Sequence, residues 1–362
     1  YWGIYLQSQN FSPASIGVLL SLFQISRIVA PNFWGWLADH TGHRVKWIKL
    51  TSLLGLIGFV GVFWAKGFFW IFLIMSALSL FTSSTLPLAE SLTLAHLATT
   101  NGHYSRIRLW GSIGFIAASL LLGYLIDIQG INILLWALLV AQAIIFYLSN
   151  TIPETEAILH EKNDLSIWKI IKTPSVVALL IGCTLMVSAH GVLYNFYSIY
   201  LKEHGYTGGT IGWLWSVGVI CEILIFMMMP KILRRYPLKV ILLTSLFLGI
   251  IRFILIGASP DHLYLLFIAQ IFHAATFGSF HAASIEVIAY YFKGRNQARG
   301  QAIYNSVAYG IGGTVGGLGG GYLIQYLGGQ IGFMVAAISP LIGFFVIWFG
   351  LKLEIKGNKI FG

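Results

Sequence analysis

Nine ionisable side chains stand inside stretches that are otherwise apolar: Arg27, Glu90, Arg108, His190, Glu222, Arg252, His273, His281 and Glu286. In hydrocarbon each Arg or Glu costs about 2.5–3.5 kcal/mol, so six left unpaired would cost on the order of 15–20 kcal/mol. Such residues must pair or line water, and three Arg against three Glu allow a balanced interior. Glu222 lies about twelve residues into its apolar segment, Arg252 about fourteen and His273 about eleven. At about 1.5 Å per residue, all three reach the middle of a bilayer. A carboxyl group beside a guanidinium and an imidazole can take up and release a proton. Glu222 is therefore expected as the proton carrier, with Arg252 tuning it and His273 as relay; the alternative is a static salt bridge that fixes helix packing. Arg27 offers a different chemistry, since guanidinium binds a carboxylate through two parallel hydrogen bonds. Its alternative is a structural pair with Glu222, because an internal repeat of 195 residues maps one onto the other. His190 and Asn195 are able to hydrogen-bond a substrate or to bridge helices. Tyr194, Trp213, Trp215, Tyr304 and Tyr309 are candidates to line a cavity that accepts an aromatic ring. Glu286 is expected as a gate or snorkelling residue near a helix end.

Other chemistries find no support. No His-x-x-x-His pair, aspartate cluster or Gly-x-Ser-x-Gly elbow occurs, so neither a membrane-embedded enzyme nor a metal or cofactor is expected. Cys183 and Cys221 lie in apolar stretches and read as packing residues. The glycine run from Gly310 to Gly321 is spaced for close helix contact, with no Lys-Ser/Thr after it to hold phosphate. The 362 residues are 57% hydrophobic and 9% charged, against about 25% charged in soluble chains. That composition excludes a soluble globular domain, a disordered chain, a disulfide-stapled fold and a nucleic-acid binder.

The elements that must position these residues are membrane-spanning helices. Apolar segments fall at roughly 15–38, 47–65, 68–96, 107–127, 131–149, 170–200, 210–229, 238–257, 262–291, 299–327 and 331–351. Tyr1–Leu6 reads as the end of a twelfth helix whose start precedes this chain. Ile4-Tyr5-Leu6, Phe11-Ser12, Ile16-Gly17 and Leu19 recur 195 residues on as Ile199-Tyr200-Leu201, Tyr206-Thr207, Ile211-Gly212 and Leu214. Gly123-Tyr124-Leu125-Ile126 recurs 198 residues on at Gly321. Two six-helix bundles in the same orientation are expected: 1–149, a linker at 150–169, and 170–362. Of the 22 Lys and Arg, only Lys66 and Lys202 fall in loops opposite the linker, apart from the three within spans. The linker and both termini are therefore expected in the cytoplasm, and the net charge of +10 is mainly a topology signal.

The loop Gly35-Trp36-Leu37-Ala38-Asp39-His40-Thr41-Gly42-His43-Arg44 resembles the helix 2–3 signature of the major facilitator superfamily, with His40 where Arg or Lys is usual. The resemblance implies a cytoplasmic gate in which Gly35, Asp39, Gly42 and Arg44 act as a latch. Arg27-Ile28-x-x-Pro31-x-x-Trp34-Gly35, Arg106-Ile107-Arg108-Leu109-Trp110-Gly111-Ser112, Trp213-Leu214-Trp215-Ser216-x-Gly218 and Gln270-x-x-His273-Ala274-x-Thr276-Phe277-Gly278 resemble the phenylpropionate permease group of that superfamily. That group is similar to the lactose permease and nucleoside–proton symporter groups. Glu222, Arg252 and His273 resemble the lactose permease's proton-coupling cluster, with Thr276 in place of its second carboxylate. Glu90 and Arg108 resemble its substrate-binding pair, with Phe115 in place of a stacking Trp. The resemblance implies an all-α major facilitator fold in the inner membrane. It also implies a monomeric, proton-coupled importer of a small aromatic carboxylate such as 3-phenylpropionate, held by Arg27, Glu90, Arg108 and Asn195. Symport of a neutral sugar or nucleoside is the alternative.

Overall fold

Ser12 and Thr207 begin two helices in the same way. Each is extended, Ser12 at φ −67° and ψ 156°, Thr207 at φ −70° and ψ 159°. Each hydroxyl accepts from the N–H three residues on, Ser15 and Thr210 respectively. This satisfies one of the donors that a helix start leaves free. The repeat read from the sequence is therefore a repeat of local structure.

The computed structural model of the chain describes residues 1–97, 104–154, 167–293, 296–353 and 355, and among these there is no strand. The first half comprises α1 (Trp2–Ser8), α2 (Pro13–Thr41), α3 (Arg44–Val60), α4 (Gly67–Leu97), α5 (Tyr104–Gln129) and α6 (Ile133–Ser149). The second begins with α7 (Pro174–Glu203), α8 (Gly208–Arg235) and α9 (Leu238–Ala258), followed by α10 (Leu263–Tyr291). Helix α11 spans 296–327 and α12 spans 329–350. Gly328 at φ +80° turns the chain between them, a conformation that L side chains rarely adopt, so Gly332 lies back against Ile324. The apolar segments coincide with α2 to α12, and among the described residues nine helical stretches are long and apolar enough to span a membrane. Most of the expected linker, and Gly294-Arg295 of a basic loop, lie outside the described residues. Large apolar side chains such as Trp64, Met227 and Phe349 point outward, as lipid-facing residues do.

The halves meet by two pseudo-symmetric crossings, α2 on α11 and α5 on α8. Both crossings are glycine-to-backbone contacts. A Cβ added at Gly17 would lie 2.6 Å from the Gly317 carbonyl oxygen, and one at Gly208 would lie 2.6 Å from the Gly123 carbonyl oxygen. Gly17 and Gly212, and Gly123 and Gly321, are the pairs that the sequence repeat relates. Each crossing is also capped across the halves. Asp127, near the end of α5, accepts from the Gly208 and Gly209 N–H groups at 2.6 and 2.7 Å. Gln325, its counterpart on α11, accepts from the Ala14 N–H at 3.1 Å. Tyr1 donates to Ser119 and Gly208 carbonyls, and Gln7 to Glu203, across the same face.

All these contacts lie at the end away from Asn150 and Thr173, hereafter the far end. At the linker end, the hydrogen bonds among described residues stay within one half, as in Glu154 to Val45 and Lys239 to Trp348. The described molecule is closed at the far end and open at the linker end.

Candidate functional site

Two glycines bring α8 and α10 together. At Gly218 a Cβ would be 3.1 Å from the Gln270 side-chain oxygen, and at Gly278 it would be 2.6 Å from the Ile225 side chain. This approach sets Glu222 against His273, with Oε2 to Nε2 at 3.6 Å. Helix α10 widens into a π-turn over Ala274–Ser279, directly after His273. Such turns occur often at functional sites because the extra residue re-aims side chains. Here Thr276 and Phe277 are carried on the π-turn.

Arg252, fully buried on α9, organises the site. Its Nε donates to the Ala269 carbonyl at 2.9 Å and its Nη2 to Gln270 Oε1 at 3.1 Å. Nη1 donates toward His273 Nδ1 at 3.0 Å, His190 Nε2 at 3.1 Å and Thr276 Oγ1 at 3.1 Å. Guanidinium is donor-only, so the two imidazole nitrogens facing it are acceptors. This fixes both tautomers. His190 carries its hydrogen on Nδ1 and donates to the Met186 carbonyl at 2.9 Å. His273 carries its hydrogen on Nε2, toward Glu222. Arg252 thus reaches the carboxylate through His273, with no ion pair of its own among the described residues.

The expected trio of Glu222, Arg252 and His273 is brought together. His190, which the sequence marked only as one of two options on α7, is a fourth member. Its contact with Arg252 joins residues 62 apart on α7 and α9, and no periodicity signals that.

The opposite wall carries Arg27 and Arg108. Arg108 Nε lies 3.5 Å from Glu90 Oε1, with both side chains partly exposed. Arg108 projects from α5, which crosses α8, the helix of Glu222. Arg27 is exposed and reaches Gln24 Oε1 at 3.4 Å. Its neighbour Ile28 packs on Gly310 of α11, the residue after Tyr309. Among the described residues no ion pair joins Arg27 to Glu222, so the structural pair offered as its alternative is not formed in this conformation. Of the aromatic candidates, Tyr194 stacks on Trp215 at 5.9 Å and Tyr309 borders the cluster. Trp213 instead donates to Tyr124 in the far-end crossing, and Tyr304 is buried. Asn195 sits at the junction of α1, α7 and α11, with its amide nitrogen enclosed beside Gly317.

A family model described as "MFS_1 like family" matches residues 1–335. The chain belongs to this family.

Three relatives sharpen the comparison. The chain is 29% identical over 344 residues to the probable 3-phenylpropionic acid transporter of Escherichia coli, covering 94% of this chain and 90% of that one. It is 25% identical over 360 residues to the maltose permease of Geobacillus stearothermophilus, covering 97% and 89%. Among solved structures, a mutant of the nucleoside transporter NupG superposes with a TM-score of 0.86 at 19% identity, covering 97% of this chain and 94% of that one. This MFS_1 like protein is a multi-pass membrane transporter of a small molecule, and its relatives are permeases and not enzymes.

The superfamily loop has a local logic in this MFS_1 like chain. Gly42 ends α2 at φ +71°, donating to the Ala38 carbonyl at 3.0 Å, so a glycine suits that position. Arg44 Nη2 pairs with Asp39 Oδ1 at 2.9 Å inside the turn, not across to the other half. Glu154 caps the start of α3 through the Val45 N–H at 3.0 Å, a partner the sequence did not suggest. Gly35 has open space around it. In this linker-open conformation the expected latch is closed on itself.

Proposed function

We propose that this transporter is a proton-coupled importer of a small aromatic carboxylate such as 3-phenylpropionate. One observation carries the reading: Arg27 and Arg108 are exposed on α2 and α5, and the helices these cross, α11 and α8, carry Tyr309 and Glu222. The guanidinium groups of Arg27 and Arg108 hold the carboxylate, Tyr194 and Tyr309 meet the ring, and Asn195 supports α7 at the site. Glu222 carries the proton, its position set by His273 and Arg252. Binding of both cargoes favours closure of the linker end and opening of the far end, which is alternating access by population shift. The printed name of the Escherichia coli relative supports the substrate class. The distribution of Lys and Arg supports an inner-membrane protein with the linker end in the cytoplasm. The bundles 1–149 and 170–362, joined by 150–169, are the units that rock, as a monomer. The Asp39–Arg44 pair, with Gly35 and Gly42, serves as the cytoplasmic latch.

Proteoliposomes given labelled 3-phenylpropionate are expected to accumulate it only under an inward proton gradient. Equilibration without accumulation would remove the proton from the mechanism. Arg27→Gln is expected to lower uptake about 10–100-fold, since a charge-assisted hydrogen bond contributes about 1.5–3 kcal/mol. Unchanged uptake by this variant would remove Arg27 from the site. The Glu90–Arg108 contact favours a second reading, a neutral sugar or nucleoside, because a carboxylate already faces that guanidinium. Under that reading uridine or maltose accumulates, and Arg27→Gln leaves transport intact.

A further inference from the structure

His281 lies two turns beyond His273 along α10, toward the open linker end, and no role has been given to it above. Phe277 stacks between the two imidazoles, 5.3 Å and 12° from His273, 6.1 Å and 10° from His281. The three rings form a ladder up one face of the helix. Glu222, on α8, contacts the first imidazole, and its side chain lies beside Gly278, one turn before the second: a Cβ at Gly278 would be 3.5 Å from Glu222 Cγ.

The two imidazoles have opposite hydrogen-bonding partners. His273 Nδ1 faces Arg252, which only donates, so this ring cannot take a second proton without expelling the guanidinium. His281 Nδ1 lies 3.1 Å from the Tyr304 hydroxyl and 3.0 Å from the Tyr309 hydroxyl. A phenolic hydroxyl both donates and accepts. Nδ1 can therefore carry its hydrogen toward a tyrosine oxygen, leaving the Nε2 lone pair free. Protonation at Nε2 then loses no partner. The groups around His281 are Glu222 on α8, Arg108 on α5, Tyr304 and Tyr309 on α11, and His273 on its own helix, while Arg27 and Cys183 act on Tyr309.

We propose that His281 receives the proton that Glu222 releases toward the linker end. Glu222 carboxylic acid becomes carboxylate as His281 becomes imidazolium at Nε2, and the imidazolium then gives that proton to water in the open mouth. His273 holds Glu222 in place, and His281 empties it. This rests on the proton-coupled reading above.

The test compares wild type with His281→Gln in proteoliposomes, using labelled 3-phenylpropionate, or uridine if that is what the wild type carries. Two rates are read: exchange at equal pH on both sides, which needs no net proton release, and accumulation under an inward proton gradient. The variant is expected to exchange within about twofold of wild type, while its accumulation falls at least tenfold toward simple equilibration. Equal accumulation by both proteins overturns the role of His281 alone. A parallel loss of exchange and accumulation also overturns it, since that is what a purely structural imidazole produces. If the glutamine variant fails to fold, His281→Asn takes its place with the same two rates read, and undiminished accumulation by it is the overturning result. Absence of gradient-driven accumulation in the wild type overturns the coupled reading itself.

Discussion

Replacing Arg252 by methionine is expected to cost about 1–3 kcal/mol for each buried acceptor it strands, several kcal/mol in all, and to abolish transport. The side chain is fully buried, and its five contacts serve a carbonyl, two imidazoles, a hydroxyl and an amide oxygen. Methionine fills much of the space but leaves these acceptors without a donor. A buried unpaired group costs about 1–3 kcal/mol, and only part is recovered when Thr276 turns to His190, already 3.3 Å away. Lysine has three donors on one atom instead of a planar fork, so Arg252→Lys is expected to retain part of the stability and little of the coupling. Thermal unfolding in detergent together with substrate exchange checks both variants. A melting temperature for Arg252→Met equal to that of wild type would mean that the network contributes no stability.

Asp127→Ala is expected to shift the conformational equilibrium toward a far-end-open state by roughly 10–100-fold. The carboxylate accepts from two N–H groups of the opposite half, and bonds to a charged group contribute about 1.5–3 kcal/mol. It also sits at the positive end of a helix dipole. These contacts exist only while the far end is closed, so their loss favours opening. Gln325→Ala removes one neutral bond, about 1 kcal/mol, and is expected to shift the same equilibrium about fivefold. The readout is alkylation of a cysteine at Ser119, in a background lacking Cys183 and Cys221, by a reagent that cannot cross the membrane. Equal labelling in wild type, Asp127→Ala and Gln325→Ala would show that the caps do not hold the far end shut.

The helices were legible because hydropathy alone marks them, and α2 to α12 fall where the apolar segments do. The Glu222–His273–Arg252 contact was legible from depth, since midplane charges on neighbouring spans have few partners other than one another. Arg27 was read less well. Its repeat-related position to Glu222 says that the two lie at similar depths, but whether they touch depends on how far the bundles are splayed. His190 depends on a contact with Arg252, 62 residues away, and Asp127 on a crossing that brings it to Gly208, 81 residues away, for which no local rule exists. The recurring Gly17/Gly212 and Gly123/Gly321 motifs were visible as a repeat, yet their meaning was not. Among the described residues they are two of the places where the halves touch backbone to backbone, Gly3 against the Asn195 carbonyl being another.

The α2–α11 crossing can also be seen as a lever. The helices stay in glycine contact from Pro13–Gly321 as far as Ile28–Gly310, and α2 then runs on to Thr41 at the open mouth. The arms on either side of Ile28 are each about 20 Å long at the usual helical rise. With the fulcrum midway, a tilt that opens one mouth closes the other by a similar amount, and displacement is least at the pivot. Arg27 is the residue next to it. A ligand held there changes which side it faces while scarcely travelling.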